Sequence, residues 1–260
     1  MKEQKRITSK ENGLVKLVSA LQSSAKARQE NGVFVLEGLR LCRDALENGV
    51  RFEKLIVSDS AWNRFQAEIA QFAENAEECF QIADSLVSKI SDTKSPQGIC
   101  AVCRMASKSP GEINPLGRYI ALERVADPAN LGAVARTAEA MGVSGLLISS
   151  DGCDPYSPKA LRASMGTLLR LPIFILDNFA ENLSKSGLTL YACVVDQSAA
   201  AIGRVAFSDG SAVIIGNEAA GITEQLKQQA DQMITIPMRG SAESLNAAAA
   251  AAIAIWEMMK

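Results

Sequence analysis

The chain contains no histidine. That absence removes the Ser-His-Asp triad, the Cys-His pair, the His-ligated zinc site and any imidazole general base. Chemistry must come from carboxylates, Arg, Lys, Ser, Cys, Asn or backbone amides. Cysteine is sparse, six in 260 residues. That is too few for a disulfide scaffold, and Cys42, Cys153 and Cys193 sit in apolar contexts that suit reduced thiols in a cytoplasm. Cys100 and Cys103 form a lone C-x-x-C inside the apolar run GICAVCRM. No second pair or His completes a metal site, so the pair reads as structural and no metal is expected. No run of about 18 apolar residues reads as a membrane span. The charged, polar N-terminus has no apolar core segment, so neither a signal peptide nor a membrane is expected. Neither G-x-G-x-x-G nor a G-K-[ST] phosphate loop occurs, which leaves a nicotinamide or nucleotide enzyme without its motif. Positive charge is not in excess: 27 Lys and Arg stand against 29 Asp and Glu. That weighs against a bulk electrostatic nucleic-acid binder and leaves room only for local basic patches.

What is present is an ordinary soluble-globular composition, 48% hydrophobic and 22% charged. Residues 12–30 carry a helical apolar stripe, VFVL (33–36) reads as a strand, and 37–49 reads as a helix. FEKLIVSD is a second strand, 60–74 a second long helix, 82–90 another helix, and GICAVCRM a closing strand. This alternation predicts a small α/β domain over 1–105. ASKSPGEINPLG (106–117) is polar, aperiodic and rich in Pro and Gly, the best linker in the chain. From residue 118 onward, strands are expected at 119–123, 145–149, 172–176, 190–195, 212–216 and 233–237. Helices are expected at 130–141, 177–186, 222–229 and 243–259. Apolar strands alternating with helices predict a mainly parallel sheet, whose ligands bind beyond the carboxyl ends of the strands.

Three loops after strands therefore carry the interest. In ERVADPANLGAVARTAEAMGV (123–143), Asp127-Pro128 makes a turn, and Asn130 can cap the following helix. Arg136 lies among small apolar residues, either as a snorkelling surface side chain or as a positioned cation. In AVIIGNEAAGI (212–222), Gly216 and Gly221 bracket Glu218, and backbone amides there can hold polar groups. In MITIPMRGSAESLNAAAAAAIAIWEMMK (233–260), Ser241, Ser244 and Asn246 precede an alanine run suited to close helix packing.

Read in order, N-L-G-x-x-x-R-T-A-E-A-x-G, I-I-G-N-E-x-x-G-I and I-P-M-x-G-x-x-x-S-L-N resemble the three motifs of the SpoU (TrmH-like) RNA ribose 2′-O-methyltransferases. Ser164-Met165-Gly166-Thr167 with Leu171-Pro172 resembles the segment between the first two. FVLEGLRLCRDAL (34–46) and SPQGICAV (95–102) are similar to the L30e-like substrate-binding domain of the ribosomal-RNA members. The resemblance covers nearly the whole chain. The alanines after Asn246 are smaller than what relatives often carry there.

The resemblance implies a C-terminal domain over 118–260 with a deep trefoil knot, a homodimer, and S-adenosylmethionine as cofactor. By motif position, Gly216, Ile236, Met238, Ser244, Leu245 and Asn246 would line the cofactor pocket. Asn130, Arg136, Glu218, Ser244 and Asn246 would form the catalytic cluster. Arg136 would act on the 2′-hydroxyl, either as a base with a lowered pKa or as a cation stabilising the developing alkoxide. The RNA is expected to be 23S ribosomal RNA. Transfer RNA, methylation of a base, and a non-catalytic RNA-binding or ribosome-assembly role are the alternatives. RNA contacts are expected from Lys159, Arg162 and Arg170, and from the N-terminal cations Lys2 to Lys16, Arg28 and Arg40.

Overall fold

A computed structural model describes residues 4–260 and divides them into two compact units. The first runs to Met105 and also includes Tyr156–Leu169. The second comprises Ala106–Pro155 and Arg170–Lys260.

The N-terminal unit holds a five-stranded sheet ordered β1-β4-β3-β5-β2. Its strands are β1 (Gln4–Ile7), β2 (Val33–Glu37), β3 (Phe52–Ser58), β4 (Ala76–Ile82) and β5 (Ile99–Arg104). β5 is an interior strand, antiparallel to both β2 and β3, so it does not close the sheet at an edge. Cys100 and Cys103 lie in it, buried, and burial pushes both thiols upward. The expected helix at 12–30 is two helices, α1 (Gly13–Ser23) and α2 (Ala25–Asn31). Ser24 between them is extended, and its hydroxyl caps α2 by accepting from the Ala27 amide. α3 is Leu39–Glu47; 60–74 likewise divides at Phe65 into α4 (Asp59–Arg64) and α5 (Gln66–Glu74).

The helix expected over 82–90 shrinks to α6 (Val87–Ile90), because the preceding AEECFQI is strand β4. Its adjacent glutamates, Glu77 and Glu78, hide the strand pattern. Glu78 is neutralised from the flanking strands by Lys5 and Lys54, each at 2.9 Å. β1 carries no strand pattern for the same reason: QKRI reads as a charged terminus. The apolar stripes of α1 and α6 pack on one sheet face around Val18, Leu21, Val35, Ile56 and Ile90.

Tyr156–Leu169 carries α8 (Pro158–Ala163), an element the sequence reading did not assign. That reading placed this stretch in the C-terminal domain. In the structure it packs with the N-terminal unit, where Tyr156 stacks at 4.9 Å on Phe34 and Arg162 pairs with Asp92 at 2.6 Å.

The C-terminal unit holds a seven-stranded sheet ordered β10-β12-β9-β11-β6-β7-β8, with every recorded pairing parallel. The strands are β6 (Arg118–Leu122), β7 (Gly145–Ser149), β8 (Ile173–Leu176), β9 (Thr189–Cys193), β10 (Ala200–Ala201), β11 (Ser211–Ile215) and β12 (Gln232–Thr235). Helices α7 (Pro128–Ala140), α9 (Phe179–Lys185), α10 (Glu224–Gln229) and α11 (Ala247–Met258) connect or cover them. Residues 106–117, expected to be a linker, are laid along this sheet. The Lys108 amide donates to Ile173 at 2.8 Å, Ser109 and Glu112 form a capping box, and Ile113 is buried. Tyr119 meets Phe174 edge-on at 5.9 Å within the core. Each such fully buried side chain contributes roughly 1.5–3 kcal/mol over an exposed one.

The chain runs outward from β6 through β7 and β8, then crosses to β9, and β11 later fills the place between β9 and β6. The strand order therefore reverses beside β6. The loops leaving the carboxyl ends of β6, β9, β11 and β12 meet at that switch point.

Candidate active site

Backbone chemistry explains how the first loop is shaped. Asp127, not Asn130, is the N-cap of α7; its carboxylate accepts from the Ala129 amide at 2.9 Å, and Pro128 occupies the first helical position. Asn130 is thereby released from capping. Its side chain is buried and donates to Glu218 Oε1 at 2.7 Å. Its Oδ1 accepts from Asn246 Nδ2 at 2.9 Å. Asn246 Oδ1 in turn caps α11, accepting from the amides of Ala248 and Ala249. Residues 116 and 88 positions apart are thus joined into one polar chain that ties the three loops together. α11 begins at Ala247 rather than at 243 because this cap fixes its start.

Glu218 also accepts from the Ala126 and Asp127 amides at 3.3 and 3.4 Å. Burial raises its pKa, but the bonds from Asn130 and these amides outweigh that and hold it below the ordinary value. Asn217 beside it donates to the Arg124 carbonyl at 2.8 Å and accepts from the Ala219 and Ala220 amides. Gly216 is required: a Cβ there would lie 2.3 Å from the Gly221 carbonyl carbon, which has no room to yield.

A cavity of about 700 Å3 opens against these loops. Gly216, Glu218, Ile236, Met238, Ser244 and Leu245 line it. Asn246 is not among the lining residues; its amide group is engaged by Asn130 and the α11 cap. Asn130 does not line it either, and bears on it through Glu218. Arg136 is placed differently from the expected cluster. It is exposed on α7, outside the cavity lining, and among the described residues it has no hydrogen-bond or ion-pair partner.

The cavity walls combine Ile215, Ile222 and Met233 with the carboxylates of Asp196, Glu218 and Glu243. One lysine, Lys227, also faces it, and that ammonium is already paired with Glu224 at 2.7 Å. A cleft of this size, with apolar walls and an excess of carboxylates, suits a nucleoside that carries cationic groups.

A family model described as the SpoU rRNA methylase family matches residues 117–256, and one described as an MRM3-like substrate binding domain matches residues 12–101. The chain belongs to the SpoU rRNA methylase family. It is 29% identical over 98% of its length to the 23S rRNA (guanosine(2553)-2′-O)-methyltransferase of Bacillus subtilis, covering 99% of that protein. It is 27% identical to the 23S rRNA (uridine(2479)-2′-O)-methyltransferase of Streptomyces viridochromogenes, over 98% of this chain and 92% of that one. The AdoMet-bound rRNA methyltransferase of Sinorhizobium meliloti superposes with a TM-score of 0.84 at 29% identity, over 98% of this chain and 97% of that one.

Several residues of this SpoU site were not singled out from sequence. Glu123, at the end of β6, is buried and accepts from the Thr223 amide and hydroxyl at 2.9 and 2.7 Å, fixing the start of α10. Asn217 wires the second loop to the first. A carboxylate closing an apolar strand run was the available signal for Glu123. Among the expected RNA-contacting cations, Lys10, Arg40 and Lys159 are exposed, and Lys16 pairs with Glu11. Arg28 is not available: it is buried, and its guanidinium donates to the Leu21 carbonyl. Arg162 and Arg170 pair with Asp92 and Glu139. Lys2 lies outside the described residues.

Proposed function

We propose that this chain methylates a ribose 2′-hydroxyl of 23S ribosomal RNA, with S-adenosylmethionine as donor. One observation carries the reading: the Glu218–Asn130–Asn246 chain draws the three motif loops to one cavity at the switch point of a parallel sheet. The family and the full-length likeness to two 23S rRNA 2′-O-methyltransferases support it.

The cofactor fits the lining on chemical grounds. The backbone around Gly216, Ile236, Met238 and Leu245, with Ser244, would hold it, and the unbalanced carboxylates suit its positive charge. When bound, S-adenosylmethionine supplies an electrophilic methyl carbon to the substrate oxygen. The protein's part is to place that oxygen in line and to manage its proton. Glu218, fixed by Asn130 and two amides, keeps the first and second loops in register. Arg136, through its guanidinium, stabilises the negative charge developing on the ribose oxygen.

Arg136 stands on an α7 row with exposed Ala129 and Ala133, and neighbouring α11 exposes Ile253 and Trp256. We read these rows as covered by a second copy of the chain, giving a homodimer in which Arg136 joins a complete site. The division into domains over 1–105 and 118–260 joined by 106–117 is supported by the two family matches, 12–101 and 117–256, with RNA docking assigned to the first. The trefoil knot is assigned to the segment from β9 onward, where β11 inserts between β9 and β6 out of order. A cytoplasmic location follows from the substrate; among the described residues no helix is long and apolar enough to cross a membrane.

The test is nucleoside mass spectrometry and primer-extension mapping of RNA from cells with and without the gene. One 2′-O-methyl group should vanish from 23S rRNA on deletion and return with the purified protein and cofactor. An unchanged ribose-methylation map, or loss of a base methyl instead, would defeat the reading.

A further inference from the structure

Arg124, two residues beyond the last residue of β6, takes φ +53°, the left-handed region that a long side chain seldom occupies. Its backbone is held from both sides. The amide donates to Ser149 Oγ at 2.8 Å, the carbonyl accepts from Asn217 Nδ2 at 2.8 Å, and the next residue, Val125, is buried. Glycine or asparagine would meet that backbone demand with less strain. The arginine side chain is not repaid by packing. Its one ion pair, Nε to Asp151 Oδ2 at 2.7 Å, leaves both side chains more than half exposed, at 55% and 56%. Exposed pairs of this kind contribute little to stability. A strained residue that neither fold nor stability selects, at the rim of a site, is a residue kept for function.

Its position says which function. The residue lies at the carboxyl end of the strand where the sheet order reverses, and Asn217, which lines the cavity, holds its carbonyl. Two residues on, the Ala126 amide binds Glu218. A planar guanidinium pairs bidentately with a phosphate and is weakly hydrated, so it readily exchanges a surface carboxylate for an RNA phosphate. We propose that Arg124 binds a backbone phosphate of the RNA strand entering the active site, and that Asp151 parks the guanidinium until RNA arrives. This rests on the reading of the chain as an RNA ribose methyltransferase. Arg124 would be a substrate-binding residue distinct from Arg136, which acts at the reacting oxygen.

The experiment uses the full chain, a 23S rRNA transcript and labelled cofactor, with Arg124→Gly, Arg124→Lys and Asp151→Asn. Glycine suits the backbone, so the first variant should keep the wild-type Tm and cofactor Kd. Its KM for RNA should rise about tenfold, with kcat changed far less, and the slope of log affinity against log salt should flatten by roughly 0.7–0.9. Lysine should keep the salt slope and recover part of the affinity. Asp151→Asn should bind RNA as well as wild type or tighter, because the competing carboxylate is gone. Wild-type RNA affinity and slope in Arg124→Gly would overturn the proposal, as would Asp151→Asn weakening RNA binding as much as Arg124→Gly. A wild-type chain that transfers no methyl group to the transcript would instead overturn the parent reading, and this one with it.

Discussion

Glu37 and Arg28 of the N-terminal unit and Glu218 and Arg136 of the C-terminal unit are held in opposite ways. In the N-terminal unit, these two charges are closed off. Glu37 collects hydrogen bonds from the Ser91 hydroxyl, from Thr93 Oγ1 at 2.6 Å, from the Asp92 amide at 2.9 Å and from Gln22 at 3.3 Å. Arg28 is buried against a carbonyl of the preceding helix. In the C-terminal unit, the two charges at the site are left open. Glu218 has its partners on one side and a cavity on the other, and Arg136 has no partner among the described residues. A saturated charge can only stabilise the fold, whereas an unsaturated one can still act on a ligand. The sheets explain why. An interior antiparallel strand interrupts the N-terminal sheet, while the parallel C-terminal sheet sends successive strand ends to the same side.

The sharpest way to break this contrast is Arg136→Ala. Turnover should fall at least about a hundredfold, as on removal of a transition-state charge partner. The cofactor Kd should stay within a few fold, since Arg136 does not line the cavity. Single-turnover methyl transfer together with calorimetry decides it. Near-normal turnover would show that an open charge here has no catalytic meaning.

Glu218→Gln should come next, with turnover down about ten- to a hundredfold and Tm barely moved. The substitution removes a carboxylate that the folded chain prefers ionised. A lowered folded pKa contributes stability above the ordinary glutamate range and loses it as pH falls through the folded value. The acid limb of the wild-type stability curve should therefore be steeper than that of the variant. Glu37→Gln should show the converse. It should cost about 1–3 kcal/mol in unfolding, because it replaces a hydrogen-bonded carboxylate, and leave cofactor affinity untouched. If Glu37→Gln altered cofactor binding, or if Glu218→Gln merely lowered Tm, the division into closed and open charges would fail.

The C-terminal unit was the more legible half, for the same physical reason. Strands of a parallel sheet covered on both faces are nearly continuous apolar runs, so GLLIS at 145–149 and IFIL at 173–176 announce themselves. β1 and β4 did not, because QKRI and AEECFQI carry charges whose partners sit on neighbouring strands and are invisible along the chain. The site showed the same split. Gly216, Glu218 and Ser244 were readable as loop residues after strands. The release of Asn130 by the Asp127 cap depends on which side chain wins the helix start, and Arg124 is marked only by a backbone angle. Local pattern gives the elements, but long-range hydrogen bonds decide which polar residue is structural and which is available.

The smallest expected effect concerns Glu78, the charge on which the N-terminal sheet edge closes. Side-chain hydrogen bonds from Lys54 and then Lys5 hold its carboxyl down to about 2, from an ordinary 4.5. Stabilisation is therefore complete above 4.5 and is lost as pH falls toward about 2. Its side chain is 39% exposed, so water and salt screen most of the attraction. Glu78→Gln should lower Tm at pH 7 by only about 1–2 °C, and high salt should erase that difference. Below pH 4.5 the wild-type and variant melting curves should converge. A loss of ten degrees at pH 7 would mean that the N-terminal sheet stands on its charges rather than on Val18, Leu21, Val35 and Ile56, and closed charge would then be more than an accessory to the core.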